Sequence, residues 1–225
     1  MDYVEVARAE SARGELVLRE RRDPDGKAPA ALELRVNGVF VMDTLETTTE
    51  RALAATALRH VEEPRRVLVG GLGLGFTVQE VLADHRVEKV VVVEIEDALV
   101  RWMRDGTVPH GPGYLADERV SVMVADISVA MAEATTAAYD LVLLDVDNGP
   151  GYLVLEDNAA LYEREFVERT RECLRPGGVL AIWSAAEAPQ LQAVMAEVFG
   201  RCVPVPFDVT LQGRPEQYWL YLARR

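Results

Sequence analysis

The sequence is poor in the residues that build disulfide frameworks and metal centres. Its 225 residues include 2 cysteines, Cys173 and Cys202, which stand far apart and without C-x-x-C spacing. The 3 histidines are also dispersed, without the spacing of metal ligands. We therefore expect two buried free thiols, no disulfide framework and no metal ion.

Positively charged residues are also scarce. The chain has 24 Lys and Arg residues against 37 Asp and Glu residues, a formal net charge of −13. Nucleic-acid phosphates bind clustered cations, so a nucleic-acid partner is not expected. A cationic or neutral small molecule fits better, and acidity that serves only solubility is the alternative.

Membrane and export signals are not apparent either. The sequence has no run of about 18 apolar residues, and its first residues show no basic segment followed by an apolar one. We expect a cytoplasmic protein without a membrane partner.

What the sequence does contain is a strand, a glycine-rich turn and a helix start in direct succession. Apolar residues 67–69 run into the segment GGLGLG at 70–75, and a helical pattern begins at Phe76. Gly71, Gly73 and Gly75 permit a sharp turn and close approach of a ligand to the backbone, while the helix start offers unpaired N–H groups. The pattern favours a nucleoside-binding loop; a tight turn that needs glycine only for its geometry is the alternative.

A second buried strand, residues 90–93, ends at Glu94, about 20 residues beyond the glycines. A carboxylate at this position is placed to accept hydrogen bonds from ribose hydroxyls. We therefore predict that Glu94 binds a ribose, whereas Glu96 and Asp97 suit the N-terminus of the following helix.

Apolar strands alternate with helical patterns through the rest of the chain. This order is typical of a Rossmann-like α/β fold with a parallel sheet covered by helices on both faces. Ligands of such sheets bind at the carboxyl ends of the strands. The residues that follow these strands should therefore share one edge of the sheet: Gly71, Glu94, Asp126, Asp145 and Trp183.

The N-terminal part of the chain is predicted to differ from the rest. Residues 1–46 read as a small β appendage with a hairpin at Asn37-Gly38, and residues 47–225 as the Rossmann-like domain. Threonines from Thr47 onwards are expected to cap the first helix. A long amphipathic helix is expected from Asn158 to a Pro-Gly-Gly turn at 176–178.

In this order the motifs resemble the spermidine synthase (polyamine aminopropyltransferase) family, within the class I S-adenosylmethionine-dependent methyltransferase fold. Residues 66–75 resemble its nucleoside loop, Glu94-Ile95-Glu96 its ribose-binding Glu-Ile-Asp, and Asp126 its adenine-contacting Asp. Residues 139–145 resemble the strand that carries its catalytic Asp. The resemblance implies a mostly parallel seven-stranded sheet, a bound S-adenosylmethionine or decarboxylated S-adenosylmethionine, and a homodimer.

The sequence departs from the family at several positions. Leu74 stands where the family has an Asp that holds the donor amine, and Asp145-Val146-Asp147-Asn148 replaces Asp-Ser-Ser-Asp. Residues 47–53 replace a Tyr-His-Glu segment, and residues 203–207 replace a Tyr-Pro-x-Gly segment. A buried cation without a carboxylate partner costs several kcal/mol. We therefore expect a divergent transferase that moves an alkyl group from a sulfonium nucleoside to an unidentified small acceptor, with amines among the candidates.

Asp145 is the predicted general base, or an anchor for an acceptor amine, and Asp147 is predicted to assist it. The predicted acceptor contacts are Leu74, Asn148, Tyr152 and Trp183. The alternatives are turn capping for Asp145, loop formation for Asp147 and Asn148, and plain packing for the two aromatic residues.

Two other functions stay open at this point. One is true polyamine aminopropyl transfer from decarboxylated S-adenosylmethionine, with Asp145 and Asp147 as the acid pair. The other is a non-catalytic nucleoside-binding or scaffold protein.

Overall fold

The structure, a computed structural model, describes residues 2–26 and 29–225. Its first part is a four-stranded antiparallel sheet in the order β1-β2-β3-β4, with strands β1 (Asp2–Ser11), β2 (Gly14–Arg22), β3 (Ala31–Val36) and β4 (Val39–Asp43). Asn37 and Gly38 form the predicted β3–β4 turn, both with positive φ (50° and 76°). Met1, Lys27 and Ala28, which the predicted appendage includes, lie outside the described residues.

The second sheet has seven strands and is mostly parallel, as predicted. Its order is β10-β11-β9-β8-β5-β6-β7. Strands β7, β6, β5, β8 and β9 run parallel, and β11 is antiparallel to both β9 and β10. The strands span Arg66–Gly70 (β5), Lys89–Glu94 (β6), Val120–Val124 (β7), Tyr139–Leu144 (β8), Leu174–Ser184 (β9), Val203–Leu211 (β10) and Arg214–Arg224 (β11).

Helices cover both faces of this sheet, as the alternating pattern predicted. They span Thr48–Arg59 (α1), Phe76–Ala83 (α2), Asp97–Asp105 (α3), Gly111–Leu115 (α4), Ile127–Glu133 (α5), Arg164–Cys173 (α6) and Pro189–Phe199 (α7). Strand β5 shows how the sheet divides the core. Val67 and Val69 belong to the apolar cluster that contains α1, whereas Leu68 belongs to the cluster that contains α6 and α7. Both cysteines are buried and free, as expected.

The predicted long helix from Asn158 is two shorter helices. A 3-10 helix spans Glu156–Tyr162, Glu163 is extended (φ −86°, ψ 159°), and α6 begins at Arg164. The Pro-Gly-Gly segment lies inside β9 and not before it. Gly177 N–H donates to the Arg225 carbonyl oxygen at 2.8 Å, and Arg225 N–H donates to the Gly178 carbonyl oxygen at 2.8 Å, which pairs this segment with the last strand.

Two further details differ from the sequence-based expectation. Thr47 makes no side-chain cap to α1; the Glu46 carboxylate accepts the Thr48 N–H at 2.9 Å in its place. Strand β10 was not predicted, because its sequence contains Pro204 and Pro206. Its place at the edge of the sheet explains this, since an edge strand can leave N–H positions unpaired.

Candidate active site

A cavity lies at the carboxyl ends of β5, β6 and β8, beneath the N-terminal sheet. The space within it, open mouth included, is about 1050 Å³. The N-terminal sheet contributes apolar side chains, among them Leu16, Leu34 and Met42. The large sheet contributes the following predicted site residues: Gly71, Gly73, Glu94, Asp126, Asp145, Asp147, Asn148 and Trp183.

Three predicted residues lie elsewhere. Leu74 is fully buried in the core and lines none of the cavities found among the described residues, so the predicted wall position is wrong. Gly75 precedes α2, and a Cβ there would face Met103 and not the cavity. Tyr152 is 65% exposed and borders a second, adjoining cavity.

The glycine loop needs glycine for its packing against neighbouring residues as well as for space on the cavity side. Gly71 has φ 87°, and a Cβ added to it would lie 2.0 Å from the backbone oxygen of Asp145. Gly73 has φ 50°, and its Cβ would lie 2.8 Å from the sulfur of Met42 in the N-terminal sheet. The tight-turn alternative therefore explains part of the glycine requirement, and Gly71 allows β8 to end directly beside the loop.

Glu94 holds the glycine loop from the end of β6. It is 7% exposed, its Oε2 accepts the Leu72 N–H at 2.8 Å, and its Oε1 accepts the Glu96 N–H at 2.8 Å. Burial raises the pKa of this carboxyl, and the backbone hydrogen bonds oppose that rise. Each carboxylate oxygen has capacity for a further hydrogen bond, so Glu94 can hold the loop and also accept from a ligand.

Two contacts shape the neighbouring part of the cavity. Asp126 caps α5 through its Oδ1, which accepts the Ser128 N–H at 2.7 Å. Arg13, in the turn between β1 and β2, reaches the end of β6, where its Nε lies 2.6 Å from Oε1 of Glu96. Its Nη2 also donates to the Ile95 carbonyl oxygen at 2.9 Å. The N-terminal sheet is thus fastened over the strand that carries Glu94.

Asp145 follows β8 and is half-buried, with its side chain on the cavity lining. Thr77, in the first turn of α2, places Oγ1 3.0 Å from Oδ2 of Asp145 and 3.2 Å from the backbone oxygen of Glu50. Its single proton is shared between these acceptors. Burial raises the pKa of Asp145, and the Thr77 hydrogen bond opposes that rise.

Glu50 is a cavity residue that the sequence-based reasoning missed. It lies in α1, is 8% exposed and lines the cavity. Burial raises its pKa most, and the nearby Asp145 carboxylate raises it further. A signal was present in the sequence, since Glu50 falls on the same helical face as Leu53, Ala54 and Ala57, where a carboxylate is out of place.

Asp147 organises the loop after β8. Its Oδ1 accepts N–H groups from Asn148 and Val154, both at 2.7 Å, and its Oδ2 accepts from Asn158 Nδ2 at 2.7 Å. These bonds favour the loop-forming alternative for Asp147. The backbone oxygen of Asn148 accepts the Ala185 N–H at 3.1 Å, which joins this loop to the end of β9.

Trp183 forms an aromatic boundary of the cavity. It is 8% exposed, and its ring meets that of Tyr218 edge-on with centroids 5.0 Å apart. Its buried Nε1 has no hydrogen-bond partner within the described part of the chain.

The charged side chains on the cavity lining are all acidic: Glu50, Glu94, Glu96, Asp126, Asp145 and Asp147. Among the described lining residues there is no Lys, Arg or His. Such a lining attracts a cation, and a ligand carboxylate would meet no cationic side chain.

The second cavity adjoins the first and has a volume of about 830 Å³ with its mouth included. The two cavities share Val41, Met42, Glu50, Asn148 and Trp183. Asp43, Glu46 and Tyr218 line the second cavity alone. The shared residues therefore mark a junction between two ligand-sized spaces.

Within residues 2–26 and 29–225, no group of three or more His, Cys, Asp or Glu residues is placed to hold a metal ion. In the same residues no helix combines the length and apolar character needed to cross a bilayer.

The chain was compared with known protein families and curated proteins. The spermine/spermidine synthase domain matches residues 46–205. Polyamine aminopropyltransferase 2 of Pseudomonas aeruginosa is 32% identical over 183 residues, which cover 75% of this chain and 50% of that protein. Putrescine N-methyltransferase 3 of Nicotiana tabacum is 33% identical over 125 residues, or 55% of this chain and 31% of that protein. The chain thus spans at most about half the length of these relatives.

Solved structures agree on the fold. A spermidine synthase in complex with the transition-state analogue AdoDATO superposes with a TM-score of 0.79 at 17% identity, over 98% of this chain and 73% of that one. The spermidine synthase of Thermotoga maritima gives a TM-score of 0.76 at 17% identity, over 98% of this chain and 72% of that one. At this identity the likeness concerns the fold, which includes the N-terminal sheet.

Proposed function

The chain belongs to the spermine/spermidine synthase family, and we propose on that basis that it transfers an aminopropyl group from decarboxylated S-adenosylmethionine to a small amine. The observation that carries this proposal is the wholly acidic charge of the cavity lining, in particular the buried Glu50 and the half-buried Asp145. S-adenosylmethionine and its decarboxylated form share a sulfonium and an amine. They differ in one carboxylate, for which the lining offers no cationic side chain.

Glu50 removes the main argument for a more divergent activity. That argument assumed that the donor and acceptor amines had lost their carboxylate partners, because Leu74 replaces an Asp. Glu50 supplies a buried carboxylate at the cavity that the sequence-based reasoning did not count. The expectation of an unidentified small acceptor therefore gives way to aminopropyl transfer, which was the alternative.

The relatives support an amine acceptor. By their names, the Pseudomonas aeruginosa protein is an aminopropyltransferase of polyamines and the Nicotiana tabacum protein methylates putrescine. Both names specify an aliphatic amine as substrate. An amine is also the chemical class that a cavity lined by carboxylates would attract.

The reaction assigns a role to each part of the cavity. Glu94 accepts from the ribose, Asp126 from the adenine, and the loop with Gly71 and Gly73 lies along the nucleoside. The amine nitrogen attacks the carbon attached to the sulfonium sulfur, a C–N bond forms, and the C–S electrons go to sulfur, which leaves as a thioether. Asp145 takes the proton that the nitrogen loses.

Methyl transfer from S-adenosylmethionine to an amine is the second candidate. It is favoured by the 33% identity to the Nicotiana tabacum putrescine N-methyltransferases. It would require the donor carboxylate to bind without a cationic side chain on the lining. A scaffold without chemistry is the weakest candidate, because burying Glu50 and Asp145 beside each other costs stability without a ligand to compensate.

The proposal extends to the arrangement of the chain. Residues 47–225 would form the donor-binding domain, and the sheet within residues 1–46 would form a cover that closes the apolar side of the cavity through Leu16, Leu34 and Met42. Assembly as a homodimer and a cytoplasmic location are carried over from the sequence-based expectation.

Titration calorimetry with three nucleosides tests the proposed donor. Decarboxylated S-adenosylmethionine should bind at least about 10-fold more tightly than S-adenosylmethionine, with methylthioadenosine in between. Incubation with putrescine should then give a product heavier by one aminopropyl group in mass spectrometry. Preference for S-adenosylmethionine with a product heavier by one methyl group would establish the second candidate, and no nucleoside binding would overturn both.

A further inference from the structure

We propose that Glu50 binds the nucleophilic amine of the acceptor opposite Asp145, and that the second cavity holds the rest of the acceptor molecule. This inference rests on the proposed function and adds to it the position of the acceptor. It also makes Glu50 a substrate-binding residue.

The position of Glu50 is the first support. Glu50 lines both cavities, whereas Asp145 lines the first cavity alone. The first cavity also contains Glu94 and Asp126, the proposed nucleoside contacts. A reaction between two molecules must take place where their sites meet, so the junction that contains Glu50 is the place for the attacking nitrogen.

The surroundings of Glu50 are the second support. Its Oε2 accepts from the Thr49 hydroxyl at 3.2 Å, and no described Lys or Arg forms an ion pair with it. By contrast, the buried Asp43 has a cationic partner, Arg21, at 3.0 Å. A carboxyl that is 8% exposed and lacks a cation is stable only when it is protonated or when a ligand brings the missing charge.

The groups that face Glu50 are acidic or neutral. They are Asp145 after β8, Glu46 before α1 and Tyr218 in β11, while Asp43 in β4 lines the same second cavity as Glu50. Burial and the Asp145 charge favour the protonated form of Glu50 in the empty site. An ammonium group at the junction would reverse this preference, so acceptor binding should release a proton from the pair.

The carboxyls of Glu50 and Asp145 would then have different roles in the reaction. Binding of the ammonium ionises Glu50, whose proton goes to solvent. The ammonium then gives one proton to Asp145 and lies as a neutral amine whose lone pair is directed by Glu50. Attack on the carbon beside the sulfonium forms the C–N bond and breaks the C–S bond, whose electrons stay on the departing thioether sulfur, and the new secondary ammonium pairs with Glu50.

The test uses putrescine as the acceptor probe and Glu50→Gln as the main variant. Putrescine is titrated into protein saturated with methylthioadenosine, in two buffers of different ionisation enthalpy, so that proton release is measured together with affinity. Glu50→Asp retains the charge at a shorter reach. Glu63→Gln, which removes a carboxylate whose side chain is 69% exposed and lies outside the cavities, is the matched control.

We expect Glu50→Gln to weaken putrescine binding by about 10–100-fold and to abolish most of the proton release, while methylthioadenosine affinity stays within about twofold. Turnover with putrescine should show a higher KM as well as a lower kcat. Glu50→Asp should recover part of the loss, and Glu63→Gln should match the wild type. Glutamine has the same shape as glutamate, so Glu50→Gln should fold. Thermal unfolding verifies that each variant is folded.

The outcomes separate the inference from the proposed function. Unchanged putrescine affinity and proton release in Glu50→Gln would overturn the inference even if the wild type transfers an aminopropyl group. Wild-type protein that binds putrescine through Glu50 but forms no product would retain the inference and overturn the proposed function. Absence of putrescine binding to the wild type would overturn both.

Discussion

The hydroxyl of Thr77 lies 3.0 Å from Oδ2 of Asp145, so the first turn of α2 holds the carboxylate that ends β8. These residues are 68 positions apart in sequence, and the glycine loop brings them together. Gly71 is part of that arrangement, because only a residue without Cβ can pass the Asp145 backbone oxygen there. The glycine loop and the proposed base are therefore one structural unit.

Replacing Thr77 by Val should affect the chemistry more than donor binding. The hydroxyl lowers the pKa of Asp145, so its loss should move the acidic limb of the kcat profile to higher pH. We expect kcat to fall by about 5–10-fold at neutral pH, which corresponds to the free energy of about one hydrogen bond. A pH–rate series with Thr77→Ser as control measures this, and an unmoved profile in Thr77→Val would contradict it.

Replacing Asp145 by Asn keeps the shape of the side chain and removes its charge. If Asp145 takes the amine proton, turnover should fall by about 10²–10⁴-fold while the affinity for methylthioadenosine changes little. Asp147→Asn should instead lower stability, because its oxygens accept from Asn148, Val154 and Asn158. The assignment of the base would be wrong if Asp147→Asn were the more damaging to turnover in folded protein.

Glu94→Ala should weaken methylthioadenosine binding by about 1.5–3 kcal/mol, the range for hydrogen bonds to a charged group. It should also lower the melting temperature, since the Leu72 and Glu96 N–H groups lose their acceptor. Calorimetric titration measures the first effect and thermal unfolding the second. Glu63→Gln, which alters an exposed carboxylate outside the two cavities, is the control, and equal affinities in both variants would show that Glu94 serves the loop alone.

Alanine at the two cavity glycines should have unequal effects on stability. Gly73→Ala should cost about 1–2 kcal/mol, the penalty of a left-handed backbone, because its Cβ meets only the movable sulfur of Met42. Gly71→Ala should cost more, since its Cβ would meet the fixed Asp145 backbone oxygen. Denaturant unfolding of both variants measures the two losses in stability. Equal losses would mean that glycine is required at these positions only for its positive φ and not for the space that a Cβ would occupy.

Much of the large sheet could be predicted because its signals are local. Residues 67–69 and 90–93 are continuous apolar runs, and each ends in a residue type that marks a strand-to-helix turn. The edge of the sheet then follows from topology alone, which is why Glu94, Asp126 and Asp145 were predicted to meet. Strand β10 gave no such signal, because prolines interrupt it.

The part of the site that was missed depends on distant contacts. Glu50 lies in α1 and becomes a cavity residue only because α1 packs near the ends of β8 and β9, which a one-dimensional pattern does not show. Leu74 was assigned to the cavity by its place in the glycine loop. The loop turns its side chain into the core instead, while the flanking Gly73 faces the ligand space.

Glu50→Gln should stabilise the ligand-free protein, and increasingly so as the pH rises. In the folded state the pKa of Glu50 is raised above its ordinary value of 4.5, so its contribution to stability is fully present below that value. It is lost as the pH rises towards the raised folded pKa, because the buried carboxyl must then ionise beside Asp145. Glutamine does not ionise, and the variant should lack this loss.

Thermal unfolding at pH 5 and pH 8.5 measures the effect. The variant should be within about 0.5 kcal/mol of the wild type at pH 5 and more stable by at least about 1 kcal/mol at pH 8.5, since one pKa unit corresponds to about 1.4 kcal/mol. Asp145 remains in both proteins, so the difference between them reports the ionisation of Glu50 beside it. A difference that did not grow with pH would contradict the raised pKa of Glu50 in the folded protein.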